Sequence, residues 1–131
     1  MENFKDINLT LPTGCDNAPR KKVIIDLTLA FLANDSLTIQ EYLNPTAEWM
    51  KFATNEELTG IEEIKQNVEA THQPIRDLTI ASVITHGKFA SVDGVVHFSN
   101  NHILYFCDVF TFTSASNKGV VKEIKSYHIR K

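Results

Sequence analysis

From Pro19 onward apolar side chains return every three or four residues, at Val23, Ile24, Leu27, Ala30 and Phe31, which is the spacing of a helix. Asn17 is placed to cap it and Asn34-Asp35 to stop it. This helix is apolar nearly all round, so it belongs inside the molecule. A short second helix is expected from Ser36, carrying Leu37, Tyr42 and Leu43 and ending at Asn44-Pro45, because a residue before proline is pushed out of the helical region. A strand is expected over 47–52, with Trp49, the only tryptophan, at its centre. Thr59-Gly60-Ile61-Glu62 then fits a capping box, and Ile61, Ile64 and Val68 form the stripe of a third helix ending near 72–74.

After Pro74 the period changes to two, and four long strands are expected at 76–86, 88–98, 102–113 and 119–130. Asp93-Gly94 is a hairpin signal, but a break there would leave two short stubs facing a long neighbour. The second strand is therefore read as unbroken, with Asn100-Asn101 as a two-residue turn. Helices followed by a meander define an α+β chain. Strand 102–113 carries Leu104, Phe106, Phe110 and Phe112 on one face and Ile103, Tyr105, Cys107 and Val109 on the other. An antiparallel strand usually keeps one wet face, so apolarity on both implies cover on both. Three helices cover one side; a second copy of the chain, in a homodimer through the sheet, is expected to cover the other.

Composition narrows the functional classes. The 131 residues include 13 Lys plus Arg and 16 Asp plus Glu, for a net charge of −3, with 43% hydrophobic residues. That describes an ordinary globular domain able to bury a core without disulfides or metal. Residues 1–17, polar and punctuated by Pro12 and Gly14, read as an arm before a domain at 18–131. The only basic cluster is Arg20-Lys21-Lys22, which argues against nucleic acid as a partner. The start lacks a signal-peptide pattern and no apolar run is long enough to span a bilayer, so the cytoplasm is expected and a membrane is not. Cys15 and Cys107 show no paired spacing. There is no glycine-rich phosphate loop, nucleophile elbow, HExxH or CxxC, and no cofactor is called for.

The order of these elements, with Trp49-Met50-Lys51-Phe52, Leu58-Thr59-Gly60-Ile61-Glu62-Glu63-Ile64, Asp108-Val109-Phe110-Thr111-Phe112, Gly119-Val120-Val121 and Tyr127, resembles the nuclear transport factor 2-like superfamily over residues 18–130. The resemblance points to its SnoaL-like, polyketide cyclase-like branch. It implies a cystatin-like cone, a strongly curved antiparallel sheet wrapped around three N-terminal helices, with a pocket at the open end and dimerisation through the sheet. In steroid isomerases of this fold an oxyanion-binding aspartate matches Asp108, whereas the partner tyrosine falls near Leu27 and the general base in Met50–Phe52, where nothing is acidic. In limonene-type epoxide hydrolases one aspartate matches Asp93, but the arginine falls near Ser91 and the last aspartate near Ser126. For SnoaL-type cyclases the resemblance offers Asp108, Asp93, His97 and His128. No complete catalytic set of the family is present, and fold alone does not fix function.

Spacing supplies its own expectation. A two-residue turn at Asn100-Asn101 sets Asp93 opposite Asp108, and His97 opposite Leu104, on the apolar inner face. Two carboxyls at that range would share a proton and act as an acid/base pair. The alternatives are that Asp93 shapes a bulge with Gly94 and that Asp108 pairs with Lys122, Lys125 or a backbone amide. His128 shares a row with Ile124 and Ser126 that the resemblance points into the cone. A tight closure between Thr113 and Gly119 would place Asp108 opposite Ile124, ~13 Å along the strand from His128, so no direct Asp108–His128 dyad is expected. His97 and His128 could flank Leu104, but three convergent metal ligands are not found. His72, His86 and His102 read as helix-end, solvated or turn residues. Lys22 and Asp26 read as an exposed pair one helical turn apart.

The expected ligand is a small apolar or aromatic molecule. Its pocket would be floored by Phe106, Phe110, Phe112 and Ile124 and given polarity by Asp93 and Asp108. Trp49 would line it, or else Met50 with Phe52, since one strand cannot turn all three inward. The expected function is small-molecule binding, or alternatively proton transfer (isomerase, cyclase or dehydratase) by Asp108 and Asp93.

Overall fold

In a computed structural model, residues 7–14 and 18–131 are described; Asn17 and Cys15 lie outside them. Helix α1 spans Pro19–Ala33, with proline in its first turn, where a missing N–H costs nothing. Its N-cap position falls on Ala18, and Asn34 ends it in the left-handed region (φ 57°) with its N–H bonded to the Ala30 carbonyl. Ile24, Ile25, Leu27, Thr28, Ala30 and Ala33 are buried around α1, as expected of an all-round apolar helix. Asp26 is half-buried rather than exposed, and burial raises its carboxyl above the usual range against the opposing pull of Lys22. Helix α2, Ser36–Tyr42, is capped by the Asp35 carboxylate, which accepts from the Thr38 N–H. Helix α3, Ile61–Thr71, buries Ile64 and Val68. Its N-cap is Gly60 with no side-chain bond, so the expected capping box does not form; Thr59 is instead paired with Glu48 in the sheet.

Among the described residues seven strands form one curved, unclosed sheet: β1 Asn8–Thr10, β2 Leu43–Lys51, β3 Glu56–Thr59, β4 Ile75–His86, β5 Phe89–Phe98, β6 Ile103–Phe112 and β7 Val121–Arg130, in the order β1-β4-β5-β6-β7-β2-β3. The meander β4–β7 is antiparallel as expected, and β5 runs unbroken through Asp93-Gly94. Two additions escape the sequence pattern. The arm contributes β1, which pairs parallel to β4, and β2 pairs parallel to β7 with β3 hairpinned onto it. Strand β2 begins at Leu43 and runs through Pro45. That residue sits in the stretch between Leu43 and Glu48 where the register to β7 shifts, so no ladder bond needs its absent N–H.

The β5–β6 turn sets the faces. It has three residues, not two: Asn101 adopts a left-handed φ of 72°, its N–H bonds to the Phe98 carbonyl, and the Phe98 N–H bonds to the His102 carbonyl. The register therefore differs by one residue from that of a two-residue turn, so Asp93 faces Cys107, Val92 faces Asp108 and His97 faces Ile103. One residue of slip exchanges faces. Ala90, Val92, Val96 and Phe98 point inward, and Asp93 and His97 point outward. The expected Asp93–Asp108 carboxylate pair does not exist; Asp93 instead accepts a hydrogen bond from the Ser82 hydroxyl on the outer face.

Gly94 lies at a bulge of β4 between Ile80 and Ser82, where an added Cβ would overlap the Thr79 carbonyl oxygen and come 2.8 Å from the Phe106 ring. Gly94→Ala is expected to lower stability by about 1–3 kcal/mol through overpacking. Urea unfolding checks this, and an unchanged midpoint would contradict the close approach. Between helices and sheet the core is dense, with Phe110, Phe112, Ile24, Leu27 and Ile124 fully buried.

Candidate functional site

At one end of this core the packing leaves a cavity of about 90 Å³. Its walls are Thr28, Phe31 and Leu32 of α1, Trp49 and Lys51 of β2, and Val68, Thr71, His72 and Gln73 at the end of α3. The sheet adds Phe98, Leu104, Phe106, Asp108, His128 and Arg130. Strand parity explains the choice between Trp49 and Met50 with Phe52. Trp49 is buried against Phe31, ring centroids 4.4 Å apart, whereas Phe52 is exposed and stacks on Tyr127 at 4.9 Å. Met50 and Phe52 lie beside a separate surface hollow with Glu57 and Lys125. Phe106 lines the cavity as expected. Phe110, Phe112 and Ile124 are core residues beyond its walls, and His97 is on the far side of the sheet.

A continuous hydrogen-bond chain crosses the floor. Trp49 Nε1–H donates to Ser126 Oγ at 2.7 Å, Ser126 Oγ–H donates to Asp108 Oδ1 at 2.5 Å, and His128 Nε2 lies 2.9 Å from the same oxygen. Its direction follows from chemistry: an indole only donates, so the serine proton must go to the carboxylate. An ionised carboxylate only accepts, so Nε2 of His128 carries the hydrogen between them. Asp108 is 7% exposed and Ser126 1%, so each bond is made in a poorly solvated place.

The Asp108–His128 contact was not expected from spacing. The β6–β7 connection is longer than a tight closure, and a register shift between Thr111 and Phe112 moves the pairing further, so that Asp108 faces Ser126 and Phe106 faces His128. His128 then sits diagonally across from Asp108 on the same face, within reach of a ring.

Lys51 is the least expected wall residue. Its ammonium lies 4.8 Å from the Trp49 ring centroid and bonds to Asn67 Oδ1, while Asn67 Nδ2 donates to Glu56 Oε2 at 3.2 Å. Burial pushes the Lys51 ammonium below its usual range, and Glu56 and Asp108 pull it back. A signal for it existed: once Trp49 faces inward, the residue two further along the strand must as well. The same parity carries Arg130 from His128. Among the described residues no group of three His, Cys, Asp or Glu is placed to hold a metal ion, and no helix is long and apolar enough to cross a membrane.

Comparisons with known proteins now have a geometry to meet. No family model matches the sequence, and no curated protein matches it significantly. Solved structures match across most of the chain. A nuclear transport factor 2-like protein of unknown function from Burkholderia xenovorans has a TM-score of 0.72 at 12% identity, with 88% of this chain and 86% of that one covered. A putative SnoaL-like polyketide cyclase from Shewanella denitrificans has 0.71 at 12% identity, covering 86% and 92%. A putative ketosteroid isomerase from Kribbella flavida has 0.72 at 11% identity, covering 87% and 80%. The chain has the nuclear transport factor 2-like, cystatin-like fold, in accord with the resemblance drawn from its sequence. At such identities the likeness is one of fold.

Proposed function

We propose that this chain is a small-molecule-binding protein of SnoaL-like type whose ligand occupies the cavity between α1, the end of α3 and the inner face of β6 and β7. The observation that carries the reading is the chain Trp49–Ser126–Asp108–His128, which fixes polar groups at a cavity whose apolar walls include Phe31, Leu32, Leu104 and Phe106. Convergent polar groups set among apolar and aromatic side chains are the usual make-up of a ligand site. At about 90 Å³ the cavity is smaller than the roughly 150 Å³ hole that accepts benzene. A compact ligand fits inside, and an aromatic one would extend past the rim.

Trp49 supplies the test, because the only tryptophan lines the cavity. Acetone and phenol are expected to shift its indole N–H resonance saturably, and Leu104→Phe, which narrows the cavity, is expected to weaken both by about tenfold or more. Shifts that stay linear with concentration in both proteins would refute the reading.

A second reading, proton-transfer catalysis, has one observation in its favour: Asp108 holds Nε2 of His128, a residue of the cavity wall, so that in the neutral ring the basic lone pair belongs to Nδ1. An aspartate that orients a histidine in this way serves general base catalysis. Asp93, on the outer face, has no part in it. The check is exchange of acetone protons for deuterium in heavy water. A rate above buffer that His128→Gln lowers about 100-fold supports catalysis; no rate above buffer removes it.

The proposed partner is a second copy of the chain. Ile84, Phe89, Tyr105, Tyr127 and Ile129 are exposed on the outer face, Ile84 and Ile129 to more than 60%. Tyr105 and Ile129, cross-strand partners with Tyr127 on the next outward position of β7, group apolar surface of the kind that marks an interaction site.

A further inference from the structure

The cavity wall holds polar atoms for which the folded chain provides no partner. Thr28 is 3% exposed, and its Oγ1 makes no hydrogen bond; the side-chain oxygen of Gln73 is buried and unpaired as well. Both residues line the cavity. An unpaired buried polar group ordinarily costs about 1–3 kcal/mol, so two around one hollow call for an occupant that bonds to them. At the exposed end of β7, the Arg130 guanidinium lies 6.0 Å from the Phe98 ring centroid and also lines the cavity. Among the described residues no carboxylate pairs with it. The strand end that carries it is fixed, since Ile103 and Lys131 exchange two backbone hydrogen bonds of 2.9 Å. Lys51 adds a second cation to the wall, and the one wall carboxylate, Asp108, already accepts from Ser126 and His128.

Resting on the reading of this cavity as a ligand site, we infer that its ligand is a small hydroxycarboxylate. The carboxylate sits on Arg130, and the hydroxyl meets Thr28 and Gln73. A guanidinium presents two parallel N–H donors that match a carboxylate edge. A hydroxyl both donates and accepts, so it satisfies Thr28 Oγ1 and the Gln73 amide whichever way that amide faces. A purely apolar ligand would leave Thr28 and Gln73 unpaired and offer the Arg130 guanidinium no partner. Successive same-face residues on a strand stand about 7 Å apart, so a short acid held on Arg130 lies alongside His128.

Three probes at constant ionic strength separate the components: lactate has both groups, propionate lacks the hydroxyl, and lactamide lacks the charge. Binding is read from the Trp49 indole N–H resonance. Lactate is expected to bind about tenfold more tightly than either of the others, since lactamide loses the charge-assisted bond to Arg130 and propionate loses the hydroxyl bonds to both Thr28 and Gln73. Arg130→Gln is expected to abolish the preference for lactate over lactamide. Thr28→Val, which removes an unpaired hydroxyl and so should not weaken the fold, is expected to reduce the preference for lactate over propionate. Equal binding of all three probes would overturn the ligand class and leave the cavity reading standing. No response to any probe, acetone and phenol included, would bring down both. A lactate-to-propionate ratio untouched by Thr28→Val would overturn the hydroxyl contact and assign Thr28 to an ordered water.

Discussion

Asp108→Ala is expected to lower the unfolding free energy by about 3–5 kcal/mol, at roughly 1–3 kcal/mol for each of the two donors, Ser126 Oγ–H and His128 Nε2–H, left without their acceptor. The loss comes from what remains. Ser126 is 1% exposed and would keep the Trp49 N–H on its oxygen while its own proton lost its acceptor, and His128 would lose the group that holds its ring. Asp108→Asn keeps an acceptor oxygen in nearly the same place and is expected to cost less, about 1–2 kcal/mol. The pair of variants distinguishes a hydrogen-bonded network from mere filling of space. Urea unfolding of both, followed by Trp49 fluorescence, gives the comparison, and equal losses would contradict the geometry derived for Oδ1.

The second large effect is expected on the outer face. Tyr105 and Ile129 are cross-strand partners on β6 and β7, both exposed, and Phe52 stacked on Tyr127 continues the surface toward β2. If a second copy covers this face, an unpaired charge at its centre must be desolvated, at about 3 kcal/mol or more. Ile129→Glu is then expected to raise the dimer dissociation constant at least about 100-fold, visible in sedimentation. A wild-type chain that sediments as a monomer at every concentration would remove the proposed dimer. Equal dissociation constants for the two proteins would move the interface elsewhere.

Periodicity disclosed the architecture because α1 and the meander carry strong, long patterns. Val23 to Phe31 cannot be laid out as a half-buried strand, and Leu104 to Phe112 cannot be laid out as a helix with one wet face. Strand β3 was hidden, since Glu56-Glu57-Leu58-Thr59 has too few apolar positions to show a period and owes its conformation to pairing with β2. Strand β1 lay in a polar arm for the same reason, its pairing to β4 supplying what its own three residues do not. The site was half legible. Asp108, Trp49, Phe106, Ser126 and His128 are in or behind the cavity wall because the inner face of β6 was read correctly and β7 shares its row. Asp93 and His97 were misplaced by one residue of turn length. Thr28 and Gln73 carry no motif: they matter only because of which atoms the packing leaves without partners.

The left-handed Asn101 has a bearing on how chains of this fold should be compared. A two-residue turn at Asn100-Asn101, pairing Ser99 rather than Phe98 with His102, would rethread β5 against β6 so that Asp93, now beside Ser82 on the convex side, becomes the inward neighbour of Asp108. Chains that differ only in the span of that loop could thus place different aspartates at the concave wall while keeping similar β-strand sequences. A gap set one position off there would equate residues on opposite sides of the molecule.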